Sequence, residues 1–351
     1  MRSGASLVPM SEDRLRAIFA EGQPHWGEEA TLIGLSPTKV VDLLDTQAFY
    51  ELLKQPYPTT QDAVIQGLVT EQLIDGPHAG KYAIRRLGAL LLAKRLREFP
   101  DLAGKAPRVI VYNGIDKLDV KLDQQGEKGY AVGFQGLVDF VMAQLPQNEV
   151  IEKSLRRKIK LLPDDSVREL VANALIHQDL TLGGMTPTIE VYTNRLEITN
   201  PGQPVVPVER FIDGYQSRNQ RLTDLMRRMS ICEERGSGID RVTTTAEVAQ
   251  LPAPSFAAAL GRTIVTIYGP RPFEQMDRED RIRACYQHSV LKWLQKEKMS
   301  NTTLRDRFGV TEAKTQLVSQ IIADTKERGL VKRDSASGDS PRYARYLPFW
   351  A

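Results

Sequence analysis

Glu169, Asn173 and His177 recur every four residues across 168–179, while Leu170, Val171, Ala174 and Leu175 fill the positions between them. A period near 3.6 predicts a helix that rests on a core with one side and presents a carboxylate, an amide and an imidazole with the other. Pro163 and Asp164 supply its start signal. Around it the period drops to two. Residues 108–112 form a β-branched run closed by Asn113-Gly114, 188–192 and 195–199 predict a hairpin joined at Thr193-Asn194, and 262–268 alternate as a last strand. Helical spacing returns over 134–141, 221–229 and 239–250, and Pro252 and Pro254 end the last of these. Ahead of them, 25–100 reads as a mostly helical connecting region containing the apolar run 87–93. Residues 1–24 begin turn-rich and lead into a helix start at Ser11. This mixture of helices and strands predicts an α/β (α+β) chain.

At 351 residues the chain is long enough for two or three domains. Its 26% charged and 41% hydrophobic content is that of a globular protein, not a disordered one. Cys232 and Cys285 are the only cysteines and make no CxxC pair, which excludes a disulfide framework or a zinc site and favours a reducing, cytoplasmic setting. No apolar run reaches the roughly 18 residues that cross a bilayer, so no membrane partner is expected. The net charge of +3 is uneven. Residues 278–351 carry fifteen Lys and Arg against nine Asp and Glu, a local +6, which leaves −3 on the preceding 277 residues. A basic end on a mildly acidic body suits a polyanion such as DNA.

Chemistry concentrates in three segments in chain order: the Glu169/Asn173 helix, a strand running into Asn200-Pro201-Gly202, and the turn Gly236-Ser237-Gly238 opening a helix. An amide oxygen can bind a hard cation and a nearby carboxylate can polarise water, a pairing suited to a magnesium nucleotide. A glycine turn at a helix N-terminus offers backbone N–H groups to phosphate.

The strings ELVANALIH, EITNPG and ERGSGI resemble the successive nucleotide-binding boxes of the GHKL (HATPase) fold shared by gyrase, Hsp90, histidine kinases and MutL, in its RecG-like C-terminal variant. That variant usually follows a Schlafen/Alba-like DNA-binding domain in proteins described as transcriptional regulators or ATP-binding proteins. YAIRRLGALLLAK, RVIVYNG, KGYAVGFQGL, SRNQRLTDLMRR, RIRACYQH and LPFWA extend the resemblance over about 80–351, and 1–24 look like the tail of the upstream Alba-like domain. The resemblance implies a GHKL/Bergerat-type mixed sheet with helices on one face over 101–276. It implies ATP and Mg2+ as ligands, Glu169 as the base activating water, and Asn173 as the magnesium ligand. Asn200 takes the place where most members use an aspartate to accept the adenine amino group, and Pro204 stands where a glycine is common. Gly202 would admit the base, Gly236, Ser237 and Gly238 would hold phosphates, and Arg218 and Asn219 fall in the usual lid region. His177 is a further contact at the pocket rim.

Residues 277–351 read as three helices and a polar two-strand wing, a winged helix-turn-helix. Lys314, Gln316, Ser319 and Gln320 form the polar face of its third helix, and Lys332, Arg333, Arg342 and Arg345 would lie near phosphates of double-stranded DNA. The expected function is an ATP-binding, DNA-binding regulator. An ATPase in phage defence or DNA transactions and an interaction scaffold with a degenerate pocket are the alternatives, and a homo-oligomer is compatible with each. A helicase is excluded because the chain has no GxxxxGK[ST] loop.

Overall fold

The computed structural model describes residues 25–146, 164–232, 238–337 and 343–351 in full, and the backbone of Arg2–Ser3, Ser6–Leu7, Gln147–Glu152 and Leu155–Lys160. The proposed tail at 1–24, and Gly236, Ser237 and Arg342, fall outside the fully described residues.

Local sequence signals set the helix starts of the first part. Ser36, Asp45 and Thr60 each accept a backbone N–H three residues on, opening Pro37–Leu43, Thr46–Leu52 and Gln61–Thr70. The run at Arg86–Leu92 is apolar around nearly its whole circumference, and Leu87 to Leu92 are all buried. Between these helices Ala30–Leu35, Lys81–Arg85 and Ile74–His78 form a three-stranded antiparallel sheet, which the helical pattern did not announce. Gly76 and Pro77 hide the last strand from a propensity reading.

The centre is a six-stranded mixed sheet in the order Ser255–Ala259, Arg262–Tyr268, Arg195–Pro201, Thr188–Val191, Arg108–Tyr112, Val120–Gln125. All neighbours are antiparallel except Thr188–Val191 with Arg108–Tyr112, the fourth and fifth strands of that order. Helices Tyr130–Gln144, Asp164–Ile176 and Gly238–Val248 pack together on one face, where Leu170, Val171 and Leu175 meet Val109, Val191, Leu196 and Ile198. The opposite face carries Tyr112 and Tyr192 stacked with centroids 4.7 Å apart beside buried Glu190, which accepts from the Tyr112 hydroxyl at 2.9 Å and from Lys117 at 2.8 Å.

The last part holds helices Arg278–Leu294, Asn301–Phe308 and Thr315–Glu327 and the antiparallel pair Val331–Arg333 with Tyr346–Pro348. Ser300 and Thr303 form a reciprocal capping box, and left-handed Gly309 closes the short helix. The core of this part, built on Cys285, Val290, Leu304, Val318 and Ile322, also takes in Ile212 and Ala253 from the preceding region. Both cysteines are free and buried. No helix among the described residues is long and apolar enough to cross a membrane.

Candidate functional site

The strand alternation that sends Leu196 and Ile198 into the helix-covered face carries on to Asn200, and antiparallel register sets Thr263 opposite Asn200 and Val265 opposite Ile198. On the neighbouring helix the spacing of four brings Glu169, Asn173 and His177 to the same space. Gly238 and Ile239 enter it from the start of their helix, and these residues line one cleft. The cleft has a cavity volume of about 110 Å³, below the roughly 300–1,000 Å³ usual for small-molecule sites. Counted out through its open mouth into solvent, the empty space between these walls is about 830 Å³.

Asn173 donates its Nδ2 to Glu169 Oε1 at 3.0 Å, which leaves the Asn173 carbonyl oxygen for another partner. The Glu169 carboxylate lies directly against Gly238, where a Cβ would stand 1.7 Å from Oε1. The acidic side chain and the positive end of the Gly238–Val248 helix therefore face one another. Asn200 is buried, 6% exposed, and its amide makes no hydrogen bond with a described residue. Thr263 donates its hydroxyl to the Gly202 carbonyl at 2.9 Å.

The remaining wall comes from a stretch that carries no periodicity, in which Val205, Val206, Phe211, Gly214, Tyr215 and Gln216 line the cleft. Sequence reasoning missed these residues and Thr263. The alternation of 262–268 could have indicated Thr263, whereas nothing local marks Phe211 or Tyr215. Tyr215 meets His177 edge-on with centroids 6.0 Å apart. The wall is braced from the C-terminal part: the Tyr286 hydroxyl donates to the Glu209 carbonyl at 2.5 Å, and Arg210 lies 4.0 Å over the Trp350 ring.

Three residues assigned to the site have different surroundings. Gly202 does not line the cleft. With φ at +105° and a would-be Cβ 2.7 Å from Asp179 Cβ, it turns the strand end past Asp179. Arg218 pairs with Asp179 at 2.8 Å and donates to the Gln203 carbonyl, lining a second cavity with Trp26 and Arg221. Asn219 donates to the Ile176 and Gln178 carbonyls, both at 2.8 Å, and so ties off the end of the Glu169 helix. Neither Arg218 nor Asn219 is among the residues that line the cleft.

Of the basic-end residues, Gln316, Ser319, Gln320 and Lys332 are exposed. Ser319 accepts from Asn301 at 2.9 Å, Gln320 donates to Asp324 at 2.9 Å, and Lys314 lies 3.9 Å from Glu274. Arg345 donates to the carbonyls of Tyr343 and Ala344, and Arg333 is engaged as well.

Burial, and then the Arg218 charge, lower the His177 pKa to about 4. Burial, with Asp213 nearby, raises that of Asp240 to about 6, and its Oδ1 is buried with no partner among the described residues. The two act in opposite directions on stability. For His177 the unfolded chain binds the extra proton between about 4 and 6.5, so its contribution grows as pH rises through that window. For Asp240 the folded chain holds the extra proton between 3.8 and about 6, and its contribution shrinks as pH rises. Relative to wild type, His177→Gln should lose stability progressively from about pH 4 to 6.5, and Asp240→Asn should gain it from about 3.8 to 6. Urea midpoints across this range check both, and a pH-independent offset in either variant would contradict the buried neutral state of that group.

The comparisons with known proteins fall on this region. The family described as "Putative ATP-dependent DNA helicase recG C-terminal" matches residues 184–267, which include the strands of Asn200 and Thr263. The whole chain shares its fold with the crystal structure of the DIP2311 protein from Corynebacterium diphtheriae, at a TM-score of 0.57 and 16% identity over 99% of this chain and 69% of that one. No curated protein matches the chain.

Proposed function

We propose that this chain binds a purine nucleoside triphosphate, ATP with Mg2+, in the cleft, and that its basic C-terminal part is a winged helix that contacts DNA, together making a nucleotide-dependent regulator. The observation that carries the reading is the convergence of a carboxylate–amide helix face, the Asn200 strand end and a helix N-terminus on one mostly apolar cleft. An apolar slot with few polar groups suits a base, and a helix N-terminus at its mouth suits phosphate.

The Asn173 amide, held through its nitrogen by Glu169, keeps its oxygen for a hard cation. No cluster of three His, Cys, Asp or Glu able to hold a metal exists among the described residues. Such a cation would supply charge neutralisation. The Glu169 carboxylate would orient and polarise a water, the step that separates an ATPase from a binder. In the C-terminal part, exposed Gln316, Ser319 and Gln320 at the start of the Thr315–Glu327 helix support base-edge contacts, and Lys332 supports contact with phosphate.

Calorimetry with ATP and Mg2+ is the test. Wild type should bind, and Asn173→Ala should bind about 10- to 100-fold more weakly, the usual cost of disturbing a metal-coordinating shell. Titration of the same protein with duplex DNA should give an affinity that falls steeply with salt. Phosphate release abolished by Glu169→Ala would identify an ATPase. Absence of nucleotide binding by the wild type would overturn the reading and leave the scaffold.

A further inference from the structure

We propose that the cleft does not select adenine over guanine and that the natural ligand class is purine nucleoside triphosphates of both kinds. The inference rests on the nucleotide reading above and adds to it the chemistry of the base end.

The Asn200 side chain is buried, lines the cleft, and spends neither its carbonyl nor its amino group on a described residue. A primary amide carries an acceptor and a donor side by side, and turning it about its last bond exchanges them. In one orientation the oxygen accepts from the exocyclic amine of adenine while the nitrogen donates to ring N1. In the other, the nitrogen donates to the exocyclic oxygen of guanine while the oxygen accepts from N1–H. Each purine edge thus meets two hydrogen bonds at the cost of a rotation that breaks no hydrogen bond to a described residue.

Thr263, directly across the strand pair from Asn200, sharpens this. Its single hydroxyl proton goes to the Gly202 carbonyl, so toward the cleft the oxygen only accepts. An acceptor beside Asn200 has nothing to offer adenine N1, and it suits the N2 amino group that guanine alone carries. A carboxylate at position 200 would read differently. It accepts only, so with the base seated with its exocyclic 6-substituent against this residue it would repel the guanine oxygen while still taking the adenine amine. Pyrimidines are a ring shorter. With the phosphates held at the Gly238 end, their pairing edge stops short of Asn200.

The experiment is calorimetry on the full chain with Mg2+ and each of ATP, GTP, ITP and CTP, for wild type and for Asn200→Asp. Wild type should bind ATP, GTP and ITP within about tenfold of one another and CTP at least about tenfold more weakly. Asn200→Asp should lose GTP and ITP affinity by about 10- to 100-fold, because a buried acceptor then meets an acceptor. It should keep ATP within about threefold, since the ionised oxygen strengthens the bond to the amine. The wild-type series stands by itself should the variant fail to fold, which a thermal melt reports. Wild-type binding of ATP without GTP would overturn this inference and leave the nucleotide reading intact. Equal binding of CTP would also overturn it, because the base edge would then go unread. If no nucleotide binds, the nucleotide reading fails first.

Discussion

Replacing Glu247 with alanine is expected to destabilise the protein by about 3 kcal/mol or more, the usual consequence of removing one partner from a buried charged cluster. The side chain leaves the last turn of the Gly238–Val248 helix and places Oε1 2.9 Å from His288 Nδ1 and Oε2 3.6 Å from Arg307 Nε. His288 is 2% exposed and Arg307 5%. The other ring nitrogen of His288 meets Thr303 Oγ1 at 3.0 Å, and Arg307 donates to the Leu251 carbonyl at 2.6 Å. Without the carboxylate, the guanidinium stays buried with one carbonyl partner, and its Nη1 has none even now among the described residues. Glu247→Gln keeps a hydrogen-bond acceptor without the charge and should fall between wild type and alanine. Denaturant unfolding measures both, and an alanine variant as stable as wild type would remove this cluster from the account. The functional interest is its location. The helix that begins against Glu169 ends in this clasp, roughly 14 Å away at 1.5 Å per residue, so the cleft and the C-terminal helices share one element. The cleft wall gives a second connection, because Phe211 lines the cleft while Ile212 lies in the C-terminal core.

Substitution of Gly238 by alanine should weaken nucleotide binding by more than about tenfold and cost about 1–3 kcal/mol of stability. The added methyl would lie 1.7 Å from Glu169 Oε1, 2.1 Å from its Cδ and 2.4 Å from its Cγ. Rotating the carboxylate alone does not relieve that overlap. The whole side chain must swing away, breaking the hydrogen bond that orients Asn173. A double-mutant cycle isolates the cause, since Glu169→Ala removes the atoms that clash and should recover most of the stability lost in Gly238→Ala. Additive losses in the double variant would show that the glycine is needed for its own backbone and not for its neighbour.

The Glu169–Asn173–His177 face was legible because a helix brings residues four apart together by local geometry, whatever surrounds it. The inward row ending at Asn200 was legible for the same reason at a period of two. The edge strands Val120–Gln125 and Ser255–Ala259 were not. Nearly every residue of the first is exposed, the second is three-fifths Ala, and each forms only because a neighbouring strand offers backbone partners. Arg218 and Asn219 read as lid residues for want of any local sign that their partners, Asp179 and the carbonyls of Ile176 and Gln178, lay far back in the chain.

What this sequence determined by itself is therefore whatever short-range periodicity and capping control: the chemistry-bearing helix face, the strands that alternate, the helix starts and the basic C-terminal helices. Tertiary structure alone decided that Glu169 lies against Gly238, that Thr263 faces Asn200 with its proton already committed, and that Val205 to Gln216 close the cleft while leaning on the last helices. Each of these is a meeting of residues tens of positions apart, and such meetings are selected by packing of the whole core, which no window of the chain contains.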